Sequence, residues 1–283
     1  MIGTVGDLVE DIVVRLGGPV NEATDTEAHV VRRRGGSAAN MAVSVVRAGH
    51  PARFIGQVGD DPQGAALLDQ LRAEGIDVVA RRSGRTGTII VLLDHLGERT
   101  MLTDRGACTG LDHPDRSWLA GLITLHVPAY SLVGEPLART TATLVGWAHE
   151  AGILVSVDAS SSSLINDFGA DALLELLADL RPEVLLCNAS EAEALGDGVD
   201  PEGIGARLTV IKQGAGPAVL LQPGQQRAEV PALALDGVSD TTGAGDAFAA
   251  GLLVALAAGF NPVAAAMLGH QSAARAIGAA SGA

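Results

Sequence analysis

The chain has 283 residues, 47% hydrophobic and 18% charged, with 33 acidic against 19 basic side chains and a formal net charge of −14. This composition excludes a disordered chain, and the acidic balance argues against a general nucleic-acid binder, which needs a basic footprint. A nucleotide remains admissible as a ligand, because a phosphate site needs only local backbone N–H groups and a cation or two. Aromatic residues make up 2% of the chain, so its core must be built from Ala, Val, Leu and Ile. Cys108 and Cys187 are too few for a disulfide framework and lack metal-ligand spacing. The first residues carry acids where a signal peptide carries bases, and the longest apolar run, 247–259, is shorter than the roughly 20 residues that cross a bilayer. The expectation is a soluble cytoplasmic protein with neither a nucleic-acid nor a membrane partner.

Taken in chain order, short apolar runs alternate with Ala/Leu-rich segments of helical spacing. Strand 2–5 is followed by helix 37–48, strand 53–57 and helix 62–74. Strand 122–126, helix 136–151, strand 154–158 and helix 171–180 come next. Strand 184–187 and helix 191–195 precede strands 208–212 and 218–221, and helices 245–258 and 263–276 close the chain. Such alternation predicts βα units around a mostly parallel sheet, in a three-layer α/β/α arrangement. Segments 9–15 with 29–33, and 88–93 with 99–103, interrupt the rhythm as two short hairpins, the second turning at 94–97. They are expected to form a small projecting sheet over the carboxyl ends of the strands, placed as a lid or as an edge extension.

The stretch that carries chemistry is Asp240-Thr-Thr-Gly-Ala-Gly-Asp-Ala-Phe248, which runs straight into an apolar helix. Gly243, Ala244 and Gly245 form a small-residue loop at a helix start, where unpaired N–H groups and the positive dipole end attract an anion. Asp246 sits in the first turn, where it can accept a proton from an attacking hydroxyl while the N–H groups take up phosphoryl charge. The plainer reading is an acid that complements the helix dipole. No Gly-Lys-Ser/Thr follows, so this is not a Walker A loop, and Gly3-Thr-Val-Gly6 lacks the spacing of a dinucleotide fingerprint. Asn188-Ala-Ser-Glu191 reads on its own as a helix cap with a capping-box acid.

The string 240–246 resembles the C-terminal signature of the ribokinase-like (PfkB) carbohydrate kinases. Further resemblances stand in order at Arg34-Gly-Gly-Ser-Ala-Ala-Asn-Met-Ala42, Ile55-Gly-Gln-Val-Gly-Asp-Asp-Pro-Gln-Gly64, Thr86-Gly-Thr88 through Gly97-Glu-Arg-Thr100, Asn188-Ala-Ser-Glu191 and Ile211-Lys-Gln-Gly214. The resemblance implies one ribokinase-like kinase domain over 1–283, with lid segments at about 9–34 and 86–105. It implies ATP as donor, a small sugar-like acceptor, and a homodimer through the lid. It assigns Asp246 as base, with Gly243, Ala244 and Gly245 as anion hole. Asp11, Gly35, Gly36 and Asn40 become acceptor-binding residues, although Asp7 and Glu10 leave the register of that acid open. Asn188, Lys212 (the only lysine in the chain), Gly214, Thr241, Thr242 and His270 fall on the nucleotide side. His270 also reads as a surface helix residue. Asn188 and Glu191 match a pair that organises Mg²⁺ through water, as suits a cation that dehydrates reluctantly. Asp240 matches a K⁺-site position, while the abbreviated end 277–283 puts K⁺ activation in question.

Arg32, Arg33, Arg34 and Arg105 would suit an acidic acceptor if aimed inward; a solvated lid face is the preferred reading. Few aromatics are on offer to stack a base, which favours a plain sugar over the alternative of a nucleoside. A catalytically silent binding protein is a further alternative, disfavoured because Asp246, Gly243 and Gly245 are all intact.

Overall fold

The computed structural model describes residues 1–94, 99–235 and 243–281. Its elements in order are β1 (Ile2–Val5), β2 (Val9–Leu16), β3 (Ala28–Gly35), α1 (Ser37–Arg47), β4 (Ala52–Val58), α2 (Pro62–Ala73) and β5 (Asp77–Arg82). Then come β6 (Thr86–Leu93), β7 (Arg99–Gly106), β8 (Thr124–Pro128), α3 (Leu137–Glu150), β9 (Leu154–Asp158), α4 (Ser162–Phe168) and α5 (Ala170–Leu180). The rest are β10 (Val184–Asn188), α6 (Ala189–Leu195), α7 (Pro201–Ile204), β11 (Leu208–Lys212), β12 (Ala218–Leu221), β13 (Ala228–Val230), α8 (Ala244–Ala257) and α9 (Pro262–Ser281). The expected strands and helices are present within a few residues. Four further elements, β5, β13, α4 and α7, escaped the sequence reading.

Among the described residues, nine strands form the main sheet in the order β13-β12-β11-β10-β9-β8-β1-β4-β5. All neighbours pair parallel except β11–β12 and β12–β13. Strand pleating explains the two cores. In β10, Val184 and Leu186 point into one core with α1, α2, α8 and α9, while Leu185 and Cys187 point into the other with α3 and α5. Burial on both faces is what a parallel sheet requires, so this is the three-layer α/β/α fold. The order reverses between β1 and β8, and such a switch point opens a crevice at the carboxyl ends of the strands. Asp158, Asn188 and Lys212 end β9, β10 and β11 on that edge. No helix among the described residues is long and apolar enough to cross a membrane.

The two hairpins join into one second sheet of order β3-β2-β6-β7, with β2 and β6 parallel at its centre. Arg105, near the end of β7, ties this sheet to the main body. Its Nε and Nη2 each donate to an Asp7 carboxylate oxygen at 2.8 Å, and its guanidinium also donates to the carbonyls of Tyr130 and Val133 at 2.8 and 3.1 Å. Asp7 follows β1, so one guanidinium clamps three separate parts of the chain. Arg105 is therefore neither a solvated lid residue nor a pocket group. Truncating one member of such a mostly buried pair leaves an uncompensated charge. We expect Arg105→Met to lower stability by about 3 kcal/mol, read from urea unfolding; a loss below about 0.5 kcal/mol would mean that the clamp is idle.

Candidate active site

Helix α8 begins at Gly243, whose φ of 78° is the left-handed conformation that glycine adopts freely. No side chain among the described residues caps this N-terminus, where the first N–H groups of an apolar helix have no partner within the helix. Asp246 is the acid of the first turn. Burial chiefly, and then the charge of Asp158, push its carboxyl up to about 7, against the opposing pull of Lys212 and Arg34.

Behind this turn lies a buried ion pair. Lys212 Nζ donates to Asp158 Oδ2 at 2.6 Å, and a Cβ on Gly245 would lie 3.7 Å from the same nitrogen. Burial disfavours the lysine charge, but Asp158, Glu191 and Asp246 outweigh it and hold the ammonium above its usual range. Burial likewise works against Asp158, yet Lys212 and then His126 keep it below the usual carboxylate range. His126 is buried against Ser156, its Nδ1 2.7 Å from the hydroxyl, and burial takes its pKa down to about 4. That imidazole is neutral at pH 7.

Asn188 and Glu191 form a complete capping box at the start of α6. Glu191 N–H donates to Asn188 Oδ1 at 2.9 Å, while Asn188 N–H and Nδ2 donate to the two Glu191 oxygens at 2.7 and 2.6 Å. Burial, followed by the charge of Asp158, raises the Glu191 carboxyl.

A cavity of about 710 Å³ opens on the other side of Asp246, between α1, α8, α9 and the second sheet. Asp11, Asn40, Gly243 and Asp246 all line it. The three N-terminal acids part company here. Asp7 is held by Arg105 and Glu10 faces Arg32 at 3.3 Å, so only Asp11 reaches the cavity. Gly35 makes room for it, since a Cβ there would lie 2.0 Å from Asp11 Oδ1. That oxygen is buried without a hydrogen-bond partner among the described residues, and burial raises the Asp11 carboxyl despite Arg33 and Arg34. Gly36, at φ 98°, would put a Cβ 2.2 Å from the Asp7 carbonyl, so no other residue fits there without movement. Asn40 Oδ1 accepts from Arg34 Nη1 at 2.8 Å.

A family model described as pfkB family carbohydrate kinase matches residues 3–283. The chain belongs to this family. A fructokinase of Klebsiella pneumoniae is 35% identical over 274 residues, covering 91% of this chain and 84% of its own. A fructokinase of Salmonella typhimurium is 32% identical over 279 residues, with 92% and 86% covered. Among solved structures, an adenosine kinase from Sinorhizobium meliloti matches with a TM-score of 0.85 at 24% identity over 98% of this chain and 93% of its own. A ribokinase from Thermotoga maritima matches with a TM-score of 0.81 at 23% identity over 98% and 92%. The two structures establish the ribokinase-like fold, and the family with its fructokinase relatives makes the chain a sugar kinase.

Asp11, Asn40, Gly243 and Asp246 meet at one cavity, and Gly35 and Gly36 shape its wall. Asn188, Glu191 and Lys212 group behind the α8 turn, and Gly214, at φ 60°, follows Lys212 after β11. Asp240, Thr241 and Thr242 lie outside the described residues. His270 is neither at the surface nor in the cavity wall. It is buried, its Nε2 3.1 Å from the Val230 carbonyl and its ring edge-on to Phe248. Of the arginines, Arg32 and Arg33 are exposed as expected, although Arg33 also lines the cavity together with half-buried Arg34. Asp158 was missed; its signal was an acid closing the apolar strand Leu154–Asp158 at the edge where ligands bind.

The raised pKa of Asp246 sets a stability signature. Between the unfolded value near 3.8 and the folded value near 7, the native state binds the proton and the unfolded state does not, so stability falls as pH rises through that window. We expect Asp246→Asn to stabilise the fold by about 2–4 kcal/mol at pH 8, a gain that shrinks as pH falls from 7 towards 4. Urea midpoints across this range check it.

Proposed function

We propose that the protein transfers the γ-phosphoryl group of ATP to a hydroxyl of a small sugar, with fructose the first acceptor to test. One observation supports the reading: a half-buried carboxylate whose pKa is pushed up to about 7 stands in the first turn of a helix whose N-terminus is capped by no side chain among the described residues, on the wall of a cavity shared with Asp11 and Asn40. Asp246 takes the proton as the sugar oxygen attacks. The N–H groups from Gly243 to Gly245 receive charge on the phosphoryl oxygens, as donors at a helix N-terminus do. The unpartnered Oδ1 of Asp11 accepts from a sugar hydroxyl, and Asn40 adds a second polar contact. The ATP phosphates lie on the Asn188–Lys212 side, and the second sheet acts as the lid that excludes water as a competing acceptor.

Mg²⁺ belongs to this reading. Among the described residues no group of three or more His, Cys, Asp or Glu is arranged to hold a metal ion. Each Glu191 oxygen takes one hydrogen bond and keeps a lone pair, which suits an outer-shell contact to a hydrated Mg²⁺. The ion would neutralise phosphate charge there. K⁺ through Asp240 stays an expectation of the family resemblance. The cytoplasm fits a donor such as ATP and two free, buried thiols, Cys108 and Cys187. A pair of chains joined through the second sheet is favoured by the exposed Val30, Val31, Met101 and Leu102 on its outer strands. A nucleoside acceptor is the weaker reading, because no aromatic side chain lines the cavity among the described residues.

The reading is tested by ADP release over fructose, other hexoses, ribose and adenosine with Mg²⁺. Asp246→Asn should lower kcat by about 10²–10⁴ while ATP binding survives, since a positioned base contributes that much; near-normal turnover in this variant would refute the role.

A second expectation concerns pH. In the wild type, kcat should rise with pH through about 7, because only the ionised Asp246 can accept the proton. Lys212→Gln removes a cation that favours this ionised form, so the rise should move to higher pH, and less so in Lys212→Arg. A pH profile identical in all three proteins would detach Lys212 from the base.

A further inference from the structure

We propose that the acceptor carries an acidic group, a phosphate or a carboxylate, at the end remote from the reacting hydroxyl, and that Arg33 and Arg275 hold it. The inference rests on the kinase reading above, since Asp246 fixes which end of the acceptor reacts. Although the chain carries a net charge of −14, the described residues that line its cavity include five arginines, Arg33, Arg34, Arg47, Arg99 and Arg275, against two acids, Asp11 and Asp246. The arginines come from β3, α1, β7 and α9, so the fold, not a local charge run, gathers them.

Three of the five have protein partners. Arg34 donates to Asn40, Arg47 pairs with Glu74 at 3.2 Å, and Arg99 has a partner of its own. Arg275 reaches only the Gln271 carbonyl on its own helix, at 3.3 Å. Arg33 stands opposite Asp11 in the β2–β3 register and makes no hydrogen bond or ion pair among the described residues. Guanidinium groups gathered in one cavity repel one another, and an anion relieves that repulsion with paired, planar hydrogen bonds.

The cavity has a direction. Asn40, Val43, Ser44 and Arg47 recur at the spacing of one helix face, so the cavity follows α1 for about 10 Å at 1.5 Å per residue. The end at Asn40 lies beside the Gly36 loop, and the arginine of α1 marks the far end. Asn188, Lys212 and Gly214 do not line this cavity, so its arginines face the acceptor and not the donor. A neutral sugar would leave Arg33 and Arg275 without a charge to match.

The test compares matched acceptors in the full-length enzyme: fructose, its 1- and 6-phosphates, and gluconate. ADP release gives kcat/KM, and calorimetric titration without nucleotide gives binding. We expect at least one acidic acceptor to exceed fructose by about tenfold or more, and this preference to fall by about tenfold in Arg275→Gln and Arg33→Gln, mostly through KM, as the loss of a charge-assisted contact predicts. A preference for phosphates alone or for gluconate alone identifies the acid, and either supports the proposal. Arg275 is exposed with one bond to its own helix, so its variant should fold, which a thermal melt verifies. Fructose used as well as every acidic partner would overturn the proposal and leave the kinase standing, as would an acidic preference indifferent to both arginines. Absence of ADP with all acceptors would instead sink the kinase reading, and the titrations would still decide whether the arginines select an acid.

Discussion

The contact between Lys212 and Asp158 governs the site. Three carboxylates, Asp158, Glu191 and Asp246, act electrostatically on one lysine in a dry region, and the sequence supplies no second lysine. The charge cannot be shared equally. Asp158 holds the ammonium directly and stays ionised, while Glu191 spends its oxygens on the α6 cap. Asp246 feels Lys212 without bonding to it. Burial and its carboxylate neighbour therefore win, and its pKa settles near 7 instead of near 4. A base that bonded the lysine would be too weak to take a hydroxyl proton, and one without any cation nearby would stay protonated.

That balance needs a fixed backbone. Three parallel strands deliver Asp158, Asn188 and Lys212 to one edge in register, with Asp158 opposite Leu186 in β10 and Asn188 opposite Lys212 in β11. Glycines then bring other groups close. Gly36 lets α1 start against the Asp7 carbonyl, and Gly35 gives Asp11 its space. Arg105 fixes the base of the second sheet to the same region, so β2 cannot carry Asp11 away without disturbing a mostly buried ion pair.

Much of this was legible in the sequence because periodicity reports burial. The main-sheet strands that were found are apolar runs buried on both faces, and the four strands of the second sheet were found as hairpins. Asp77–Arg82 was missed since an edge strand may carry charge, and its Asp77, Arg81 and Arg82 are exposed. Ala228–Val230 is too short for any period to show. The motif residues 35, 36, 40 and 243–246 stood out through glycine content and their position before helices. Partnerships across the chain did not. Nothing local distinguishes Asp7, Glu10 and Asp11; what separates them is that Arg105, 98 residues further on, claims the first, while Arg32 claims the second. His270 looks like a surface residue on an alanine-rich helix until α8 brings Phe248 and β13 brings a carbonyl against it.

The arginine-lined wall and the base are electrically coupled, and the coupling has a sign. Arg34 is one of the two cations that favour ionised Asp246, the other being Lys212. It sits in a cavity where burial already lowers its own pKa. An acidic group bound beside Arg33 and Arg275 would partly neutralise that field, and Asp246 would then hold a proton more tightly than in the empty cavity. A more basic Asp246 is a better proton acceptor once ionised, but fewer molecules are ionised at a given pH. For a carboxylate that starts at about 7, such a rise lowers the ionised fraction directly at neutral pH, so a bound acid would move the working range to higher pH. A carboxylate starting near 4 would stay ionised at neutral pH through the same displacement. On the proposed mechanism, the raised pKa of Asp246 is thus what would make its charge state near pH 7 responsive to charge on the acceptor.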